Sequence, residues 1–308
     1  MKIIFAGNGI RGIACLDAIK NKYNIVGVIG HKTQKNELIS QAEKFGFATF
    51  QPSNINSSNF VNKIKALKAD ICILAGYGQI VKNNFLSITK YGCINLHAGK
   101  LPQYRGSSPM NWALINGDNE YSISIIKVDE GVDTGPVLAE KTFSISTKDT
   151  ILDLHNNANI YFPKILLNVL SNIVKNKLKP LNQNESNSSY YPLRFPEDGI
   201  VFFDQFSAEE IHNRIRALTD PYPGVLCYFK DRKIKILSSQ LTQRPFFGEP
   251  GRIYRVSKKG LLVCANDRCL WLTKVIDIKT GKDLSIKIKR YDSIATIKGM
   301  AIKYYENK

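Results

Sequence analysis

The stretch MKIIFAGNGIRGIACLDAIKNK, residues 1–22, joins an apolar run, a glycine-rich turn and a segment with apolar residues at helical spacing. An apolar run that stops at glycine is typical of a buried strand, and apolar residues three and four positions apart predict a helix. Residues 1–22 therefore predict the strand, turn and helix that open an α/β domain.

Strand-like and helix-like segments go on alternating through the first half of the chain, which predicts a mostly parallel, Rossmann-like sheet. The predicted strands after the first are NIVGVIGH, FATFQP, ADICILAGYG, YGCINLH and SISIIKVD. The predicted helices after the first are ELISQAEKFG, SSNFVNKIKALK and a long amphipathic segment over about 149–177.

The pattern changes after QNESNSSYYP, residues 183–192, whose polar, turn-forming composition predicts a linker. A helix, SAEEIHNRIRALTD, is followed by the predicted short strands GVLCYFK, KIKILSSQ, GRIYRVS, GLLVCAN and CLWLTKVIDI. Short strands separated by turns predict a small β-rich module, with a barrel as the expected form. We therefore predict two domains, over 1–185 and 196–308.

Composition limits the class of protein. The chain of 308 residues is 44% hydrophobic and has no apolar run long enough for a membrane span, so we expect a cytoplasmic protein without a membrane partner. Its net charge of +17 suits a nucleic-acid partner, an anionic small substrate or a solvated lysine-rich surface. No CxxC pair occurs, so the cysteines predict buried thiols and no metal site. They are Cys15, Cys72, Cys93, Cys227, Cys264 and Cys269.

The turn Gly7-Asn8-Gly9-Ile10-Arg11-Gly12 fits the dinucleotide pattern GxGxxG between a strand and a helix. An acidic residue should then close the second strand to bind the ribose, but His31 and Lys32 stand there. NAD binding is therefore disfavoured. The glycines either form only a tight turn, or Asn8, Gly9 and Arg11 contact an anionic or sugar ligand.

Asn95 and His97 lie two residues apart at the end of a predicted strand, so their side chains share one face. The carboxyl ends of strands are where open α/β sheets bind ligands. Downstream, Gly131 and Gly135 bracket Asp133 in VDEGVDTG, and this loop could return to the same edge.

The three residue types fit acyl transfer to an amine without a covalent enzyme intermediate. Asn95 offers an amide donor to an oxyanion. His97 can exchange a proton with the amine, and Asp133 can orient the imidazole. We therefore predict that Asn95, His97 and Asp133 are catalytic, with no cysteine or serine nucleophile.

INLHAGKLPQYRGSSPMNWALINGD (94–118) followed by VDEGVDTG (128–135) resembles the signature of formyltransferases that use 10-formyltetrahydrofolate. The resemblance implies Asn95, His97 and Asp133 as the catalytic triad and an OB-like second domain. It also implies that the pterin is bound largely through the main chain of Tyr77, Gly78, Gln79 and Ile80 and through the backbone around Val132 and Asp133.

The resemblance covers two branches that differ in the acceptor amine. Bacterial methionyl-tRNA formyltransferases carry a basic insertion after the second strand, whereas GHKTQKNELISQAEKFG passes almost directly into a helix. We therefore expect a nucleotide-linked (UDP or dTDP) amino sugar, a 4-amino-4,6-dideoxy sugar for surface glycans. Lys100, Tyr104 and Arg105 are the predicted acceptor contacts, because arginine and lysine bind phosphate.

Three alternatives stay open. The first is tRNA as acceptor, since basic residues continue through Lys279, Lys282, Lys287, Lys289 and Arg290. The second is a hydrolase that releases formate from the same donor. The third is a binding module without the reaction, which the intact Asn95, His97 and Asp133 disfavour. A homodimer is also left open.

Overall fold

The structure, a computed structural model, describes residues 1–32, 36–230, 232–284 and 288–306. Its contacts divide the chain into two compact units. Unit 1 comprises Met1–Pro109, Glu120–Ser144 and His155–Pro192, and unit 2 comprises Met110–Asn119, Ile145–Leu154 and Leu193–Lys308. The domain bounds 1–185 and 196–308 stay a prediction. Of the residues singled out in the sequence, 33–35 of the short connection and Lys287 lie outside the described ranges.

Among the described residues up to 191, the structure has nine strands and six α-helices, with a short 3-10 turn at Glu185–Asn187. In chain order they are β1 (Lys2–Gly7), α1 (Gly9–Ile19), β2 (Asn24–Ile29), α2 (Glu37–Lys44), β3 (Thr49–Phe50), α3 (Ser58–Lys65), β4 (Ile71–Ala75), α4 (Asn83–Leu86), β5 (Cys93–His97), β6 (Arg105–Gly106), α5 (Pro109–Asn116), β7 (Glu120–Lys127), β8 (Val137–Ser144), α6 (Ile151–Val174) and β9 (Tyr190–Tyr191).

Seven of these strands form one sheet in the order β3-β2-β1-β4-β5-β7-β8. The pairs from β3 to β5 are parallel, and β7 and β8 add two antiparallel strands at one edge. The prediction of a mostly parallel sheet is confirmed. Strand β8 is missing from the sequence-based prediction because its residues are half-buried or exposed, so no buried apolar run marks it.

The strand order reverses beside β1. The chain runs from β1 outward through β2 to β3, and then returns to lay β4 and β5 on the other side of β1. Both β1 and β4 are almost fully buried, which explains their continuous apolar sequences. Open sheets bind ligands at such a reversal, outside the carboxyl ends of the strands. The carboxyl ends of β1 and β4 flank this reversal, and β5 ends beside β4 at the same edge of the sheet.

Unit 2 contains a five-stranded antiparallel sheet, which confirms the predicted β-rich second half. Its elements are α7 (Ala208–Leu218), β10 (Val225–Phe229), β11 (Arg232–Leu241), β12 (Ile253–Ser257), β13 (Gly260–Cys264), β14 (Cys269–Asp277) and α8 (Ile297–Glu306). The strand order is β10-β11-β14-β13-β12. Ser293 bridges to Arg252 beside one edge strand, and Ile294 bridges to Phe229 on the other. These bridges fit the barrel interpretation, and the OB-like classification stays an interpretation.

All six cysteines are buried and unpaired by disulfides, as predicted. Within the described ranges, no helix combines the length and apolar character that crossing a bilayer requires. The same ranges hold no group of three His, Cys, Asp or Glu side chains arranged to bind a metal ion.

Candidate functional site

A pocket of about 360 Å³ lies in unit 1 at the carboxyl ends of β4 and β5. Three segments supply most of its wall: residues 77–81 after β4, the end of β5, and the loop 128–135 between β7 and β8. The lining residues are Leu74, Tyr77, Gly78, Gln79, Ile80, Val81, Asn95, His97, Gly106, Ser107, Ile126, Val128, Asp129, Gly131, Val132, Asp133 and Gly135. The pocket therefore brings together all three predicted catalytic residues and all five residues predicted to bind the donor.

Strand β5 presents Asn95 and His97 on the pocket side. The alternation of side chains along the strand puts both on one face, as the sequence predicts. Pairing with β7 fixes their register, with Asn95 opposite Ile126 and His97 opposite Ser124. His97 is 5% exposed and Asn95 is half-buried, so the imidazole is held within the protein while both residues reach the pocket.

The backbone of the loop 128–135 requires glycine at position 135. A Cβ at Gly135 would collide with the carbonyl oxygen of Lys127, so a larger residue is excluded there. Asp133 has φ +55°, a left-handed conformation that costs a non-glycine residue about 1 kcal/mol or more. Asp129 supports the turn by accepting hydrogen bonds from Gly131 N and Thr134 Oγ1.

The carboxylate of Asp133 joins the loop to β5. Its Oδ1 accepts a hydrogen bond from Asn95 Nδ2 at 3.3 Å, and its Oδ2 lies 3.4 Å from His97 Nδ1. The main-chain N–H of Gly106 also donates to Oδ2 at 2.9 Å. One carboxylate thus contacts both an amide and an imidazole at the pocket wall.

The second ring nitrogen of His97 also faces an oxygen. Nε2 lies 2.6 Å from the carbonyl oxygen of Tyr104. A neutral imidazole carries one N–H, so it can donate to Tyr104 or to Asp133 but not to both. The arrangement can therefore hold a proton on either side of the ring, as an acid–base group requires.

The wall after β4 holds a stacked pair of rings. Tyr77 stacks on His31 with ring centroids 4.6 Å apart, and His31 Nε2 accepts a hydrogen bond from Gly78 N at 3.0 Å. Burial, with a smaller contribution from Cys72, raises the pKa of Tyr77 to about 12. Burial also lowers the pKa of His31. Both rings are therefore neutral near pH 7.

Polar atoms of this wall differ in how they are satisfied. Gln79 Oε1 accepts a hydrogen bond from Ile55 N, so its side chain fixes the segment rather than facing a ligand. The buried Oη of Tyr77 has no hydrogen-bond partner among the residues that the structure describes. Ile80 and Val132 are exposed apolar side chains on two different segments of the pocket wall.

Arg105 does not lie where the sequence analysis predicts. Instead of facing an acceptor phosphate, its side chain is completely buried. Its guanidinium donates to Glu185, Gln183 and the hydroxyl of Tyr190. The Glu185 carboxylate raises the pKa of Arg105, and Arg105 in turn lowers the pKa of Glu185. Arg105 is a structural cation, because pairing of β6 with β9 closes the chain over it.

The predicted acceptor contacts Lys100 and Tyr104 also have partners in the protein. Lys100 Nζ forms an ion pair with Glu120, in which both side chains are about half-exposed. The Tyr104 ring is buried and stacks on Tyr191 with centroids 4.8 Å apart. Neither side chain lines the pocket, and their contact with the acceptor stays a prediction.

The glycine turn before α1 lies outside the residues that line the pocket. Asn8 is exposed at the N-cap of α1, and Gly9 takes the positive φ of +59° that the tight turn requires. Arg11 turns toward α6, where Nη2 lies 3.3 Å from His155 Nδ1 and the guanidinium lies over the Phe162 ring. These three predicted acceptor contacts do not line the pocket.

Several residues of the site escape the sequence analysis. Asp129 shapes the loop, and the predicted linker contributes Gln183, whose amide reaches the loop backbone. Ser107 also lines the pocket. Ser107 and Asp129 lie inside the two motifs, which is a signal for them, but the polar composition of residues 183–192 gives none for Gln183.

Comparison with known proteins identifies similar chains. Residues 1–170 match the family Formyl transferase, and residues 195–289 match Formyl transferase, C-terminal domain. Methionyl-tRNA formyltransferase of Alkaliphilus oremlandii is 31% identical over 285 residues, covering 89% of this chain and 91% of that protein.

Solved structures share the fold. An N-formyltransferase from Helicobacter canadensis, solved with folinic acid and dTDP-3-aminofucose, has a TM-score of 0.70 at 22% identity, covering 90% of this chain and 98% of that chain. A methionyl-tRNA formyltransferase from Clostridium thermocellum has a TM-score of 0.58 at 18% identity, covering 79% and 94%.

Proposed function

Since the chain belongs to the formyl transferase family, we propose that it moves a formyl group from 10-formyltetrahydrofolate to the amine of a nucleotide-linked amino sugar. The nucleotide is UDP or dTDP, and the sugar is a 4-amino-4,6-dideoxy sugar used in surface glycans. The observation that carries the transfer is the cluster of Asn95, His97 and Asp133 at the wall of one pocket.

The pocket suits the donor. A pterin has flat apolar faces with hydrogen-bonding groups around its edge. Apolar side chains such as Leu74, Ile126 and Val128 supply matching walls, and Asp129 and the segment after β4 supply polar groups. The proposed donor contacts are largely main-chain groups of Tyr77, Gly78, Gln79, Ile80 and Val132. The bound donor supplies the activated formyl carbonyl.

Each member of the cluster has a distinct proposed role. The Asn95 amide donates to the formyl oxygen, where negative charge develops during transfer. His97 accepts the proton that the acceptor amine loses as it forms the new bond to carbon. Asp133 orients the imidazole through its contact with Nδ1. The bonds from Gly106 and Asn95 hold the carboxylate for this purpose.

Two observations support a sugar as the acceptor. Only residues 30–36 connect β2 to α2, which leaves no room for the basic insertion expected of the bacterial tRNA enzymes. The Helicobacter canadensis protein, solved with dTDP-3-aminofucose, shares the fold over 90% of this chain. Asn8, Gly9, Arg11, Lys100 and Tyr104 stay the proposed acceptor contacts, whereas every guanidinium donor of Arg105 is bonded within the protein.

A second candidate acceptor is methionyl-tRNA. The Alkaliphilus oremlandii relative carries that name at 31% identity, and the net charge of +17 suits an RNA partner. In unit 2, Lys279, Lys282 and Lys289 are exposed, and the Arg290 guanidinium lies over the exposed ring of Tyr291. Cations beside an exposed aromatic ring are a feature of surfaces that bind single-stranded nucleic acid.

A parallel assay distinguishes the acceptors. The purified protein is incubated with 10-formyltetrahydrofolate and either a panel of UDP- and dTDP-linked amino sugars or methionyl-tRNA, and the formyl mass gain is read on each. A gain on a sugar nucleotide supports the proposal, and a gain on methionyl-tRNA alone replaces it with the second candidate. Loss of the donor's formyl group without any acceptor supports the formate-releasing hydrolase.

A charge-reversal variant provides an independent comparison. In K279E/K282E/K289E, three exposed cations of unit 2 become anions without a change in the pocket. If tRNA is the acceptor, its affinity at physiological salt should fall by about tenfold or more, because phosphate contacts are lost. If a sugar nucleotide is the acceptor, its turnover should stay unchanged.

A further inference from the structure

We propose that Gln183 is a positioning residue for formyl transfer, because it fixes the backbone on which Asp133 is presented to His97. This inference rests on the proposed role of Asp133. Gln183 lies in the segment 183–191, which the sequence analysis assigns to a linker. In the structure this segment packs within unit 1 against the catalytic loop, and we call it the strap.

The strap is joined to the segment after β5 through its backbone. Arg105 N donates to Ser189 O at 3.1 Å, and Ser107 N donates to Tyr191 O at 2.9 Å. The parallel pair of β6 and β9 contains these bonds. Gly106, whose N–H holds the Asp133 carboxylate, lies in the same short strand. The strap and the main-chain donor to Asp133 therefore form one hydrogen-bonded unit.

Arg105 decides which way the Gln183 amide points. Its Nε and Nη2 both donate to Gln183 Oε1, at 3.1 and 2.9 Å. A guanidinium has only donors, so the amide must turn its oxygen toward Arg105 and its nitrogen away. The remaining donors of Arg105 go to both carboxylate oxygens of Glu185 and to Tyr190 Oη. The cation is fully satisfied and cannot leave this position for a ligand without losing these bonds.

The nitrogen of Gln183 then binds the catalytic loop. Nε2 donates one hydrogen bond to the carbonyl oxygen of Asp133 and one to that of Gly135, each 2.7 Å long. These two carbonyls flank Thr134, directly after the strained φ of Asp133. A left-handed residue persists where surrounding contacts hold it. Gln183 supplies such contacts from a distant part of the sequence. Its side-chain amide donates two hydrogen bonds to the loop and accepts two from Arg105.

Gln183 bonds both Arg105 and the loop carbonyls, and two substitutions separate these functions. If it only satisfied Arg105, then Gln183→Glu would serve as well, because a carboxylate accepts from a guanidinium and adds an ion pair. If it positions the loop, Gln183→Glu should fail, because an oxygen would then face the two loop carbonyls. Gln183→Ala removes both sets of bonds. Tyr190→Phe is the matched control, since it removes one bond to Arg105 and leaves every bond of Gln183.

The first measurement is amide hydrogen exchange at Gly106, which needs no acceptor. In Q183A and Q183E the exchange should be faster by about tenfold, the change expected for loss of hydrogen bonds that hold the loop. Y190F should exchange like the wild type. Wild-type exchange in both Gln183 variants would overturn the proposal. Denaturant unfolding of each variant separates a local change from general loss of stability.

The second measurement is turnover with the acceptor that the panel identifies. Both Gln183 variants should lower kcat by about tenfold or more with little change in the KM of the donor, as expected when positioning is lost. Wild-type kcat in Q183E would overturn the proposal, since only the Arg105 contact would then matter. If the wild-type protein formylates no acceptor, the proposed function fails, while the exchange measurement still decides whether Gln183 holds Asp133.

Discussion

Asp133 Oδ2 lies 3.4 Å from Nδ1 of His97, and this contact joins a loop to the end of a strand. The strand side is rigid, because β5 pairs with strands on both edges. The loop side depends on a left-handed residue and on contacts from Gly106 and Gln183. The geometry of the pair is therefore set by the loop.

A double-mutant cycle tests whether His97 and Asp133 act as one unit. His97→Gln and Asp133→Asn keep the size of each side chain and remove its acid–base or charge property. Each should lower the single-turnover rate of formyl transfer by about a hundredfold or more, the usual scale for an acid–base group. The double variant should be little slower than either single variant, because residues that act together are not additive.

Asp17→Asn is the control for this cycle. Asp17 forms a surface ion pair with Lys20 and lies on α1, so its loss should leave the rate unchanged. Turnover near the wild-type value in both single variants would rule out the assigned mechanism. Losses that multiply in the double variant would show two independent contributions instead.

Arg105→Ala tests whether this cation is structural. Its buried guanidinium donates hydrogen bonds to Glu185, Gln183 and Tyr190. We therefore expect the free energy of unfolding of the variant to be about 2 kcal/mol lower than that of the wild type, a value typical of lost charged hydrogen bonds. Lys100→Ala removes only a half-exposed ion pair and should cost less than about 1 kcal/mol. Denaturant titration measures both. If both variants lost equally little unfolding free energy, Arg105 would not be structural and would again be a candidate ligand contact.

His155 predicts a pH dependence of stability. Burial, followed by the charge of Arg11, lowers its pKa to about 4 from an ordinary value of 6.5. Between these values the unfolded chain binds a proton that the folded protein does not, so the free energy of unfolding should fall as the pH drops from 6.5 to 4. One proton corresponds to a slope of at most about 1.4 kcal/mol per pH unit.

The variant His155→Gln isolates this contribution. Burial also lowers the pKa of His212, so the wild-type curve contains more than one titrating group. Subtracting the variant's unfolding free energies from those of the wild type across pH 4 to 7 should leave the slope that His155 contributes. Parallel curves in that window would show that the pKa of His155 is not lowered.

The sequence predicts the fold and the centre of the site for physical reasons. Buried parallel strands have continuous apolar sequences, and a period of two puts Asn95 and His97 on one face. Gly135 is needed because no Cβ fits beside Lys127, so a local motif reveals the loop. These features are local, and a single sequence contains them.

What the sequence does not reveal depends on contacts between distant segments. Arg105 resembles a loop cation, and its burial follows from two-residue strands that have no detectable period. Gln183 lies in a polar stretch typical of linkers, yet it reaches the loop at Asp133. Strand β8 is half-exposed and therefore lacks an apolar run.

Thiol reagents test whether transfer needs a cysteine. All six thiols are buried, and none lines the pocket. Burial, opposed by a smaller effect of Arg11, raises the pKa of Cys15 to about 12, and burial also raises the pKa of Cys227. Because the thiolate is the reactive form, iodoacetamide should label the native protein at least about a hundredfold more slowly than a free thiol and leave formyl transfer unchanged.

In denaturant, all six cysteines should be labelled, which mass spectrometry can count. Rapid loss of turnover after labelling of one native cysteine would contradict a mechanism without a thiol nucleophile.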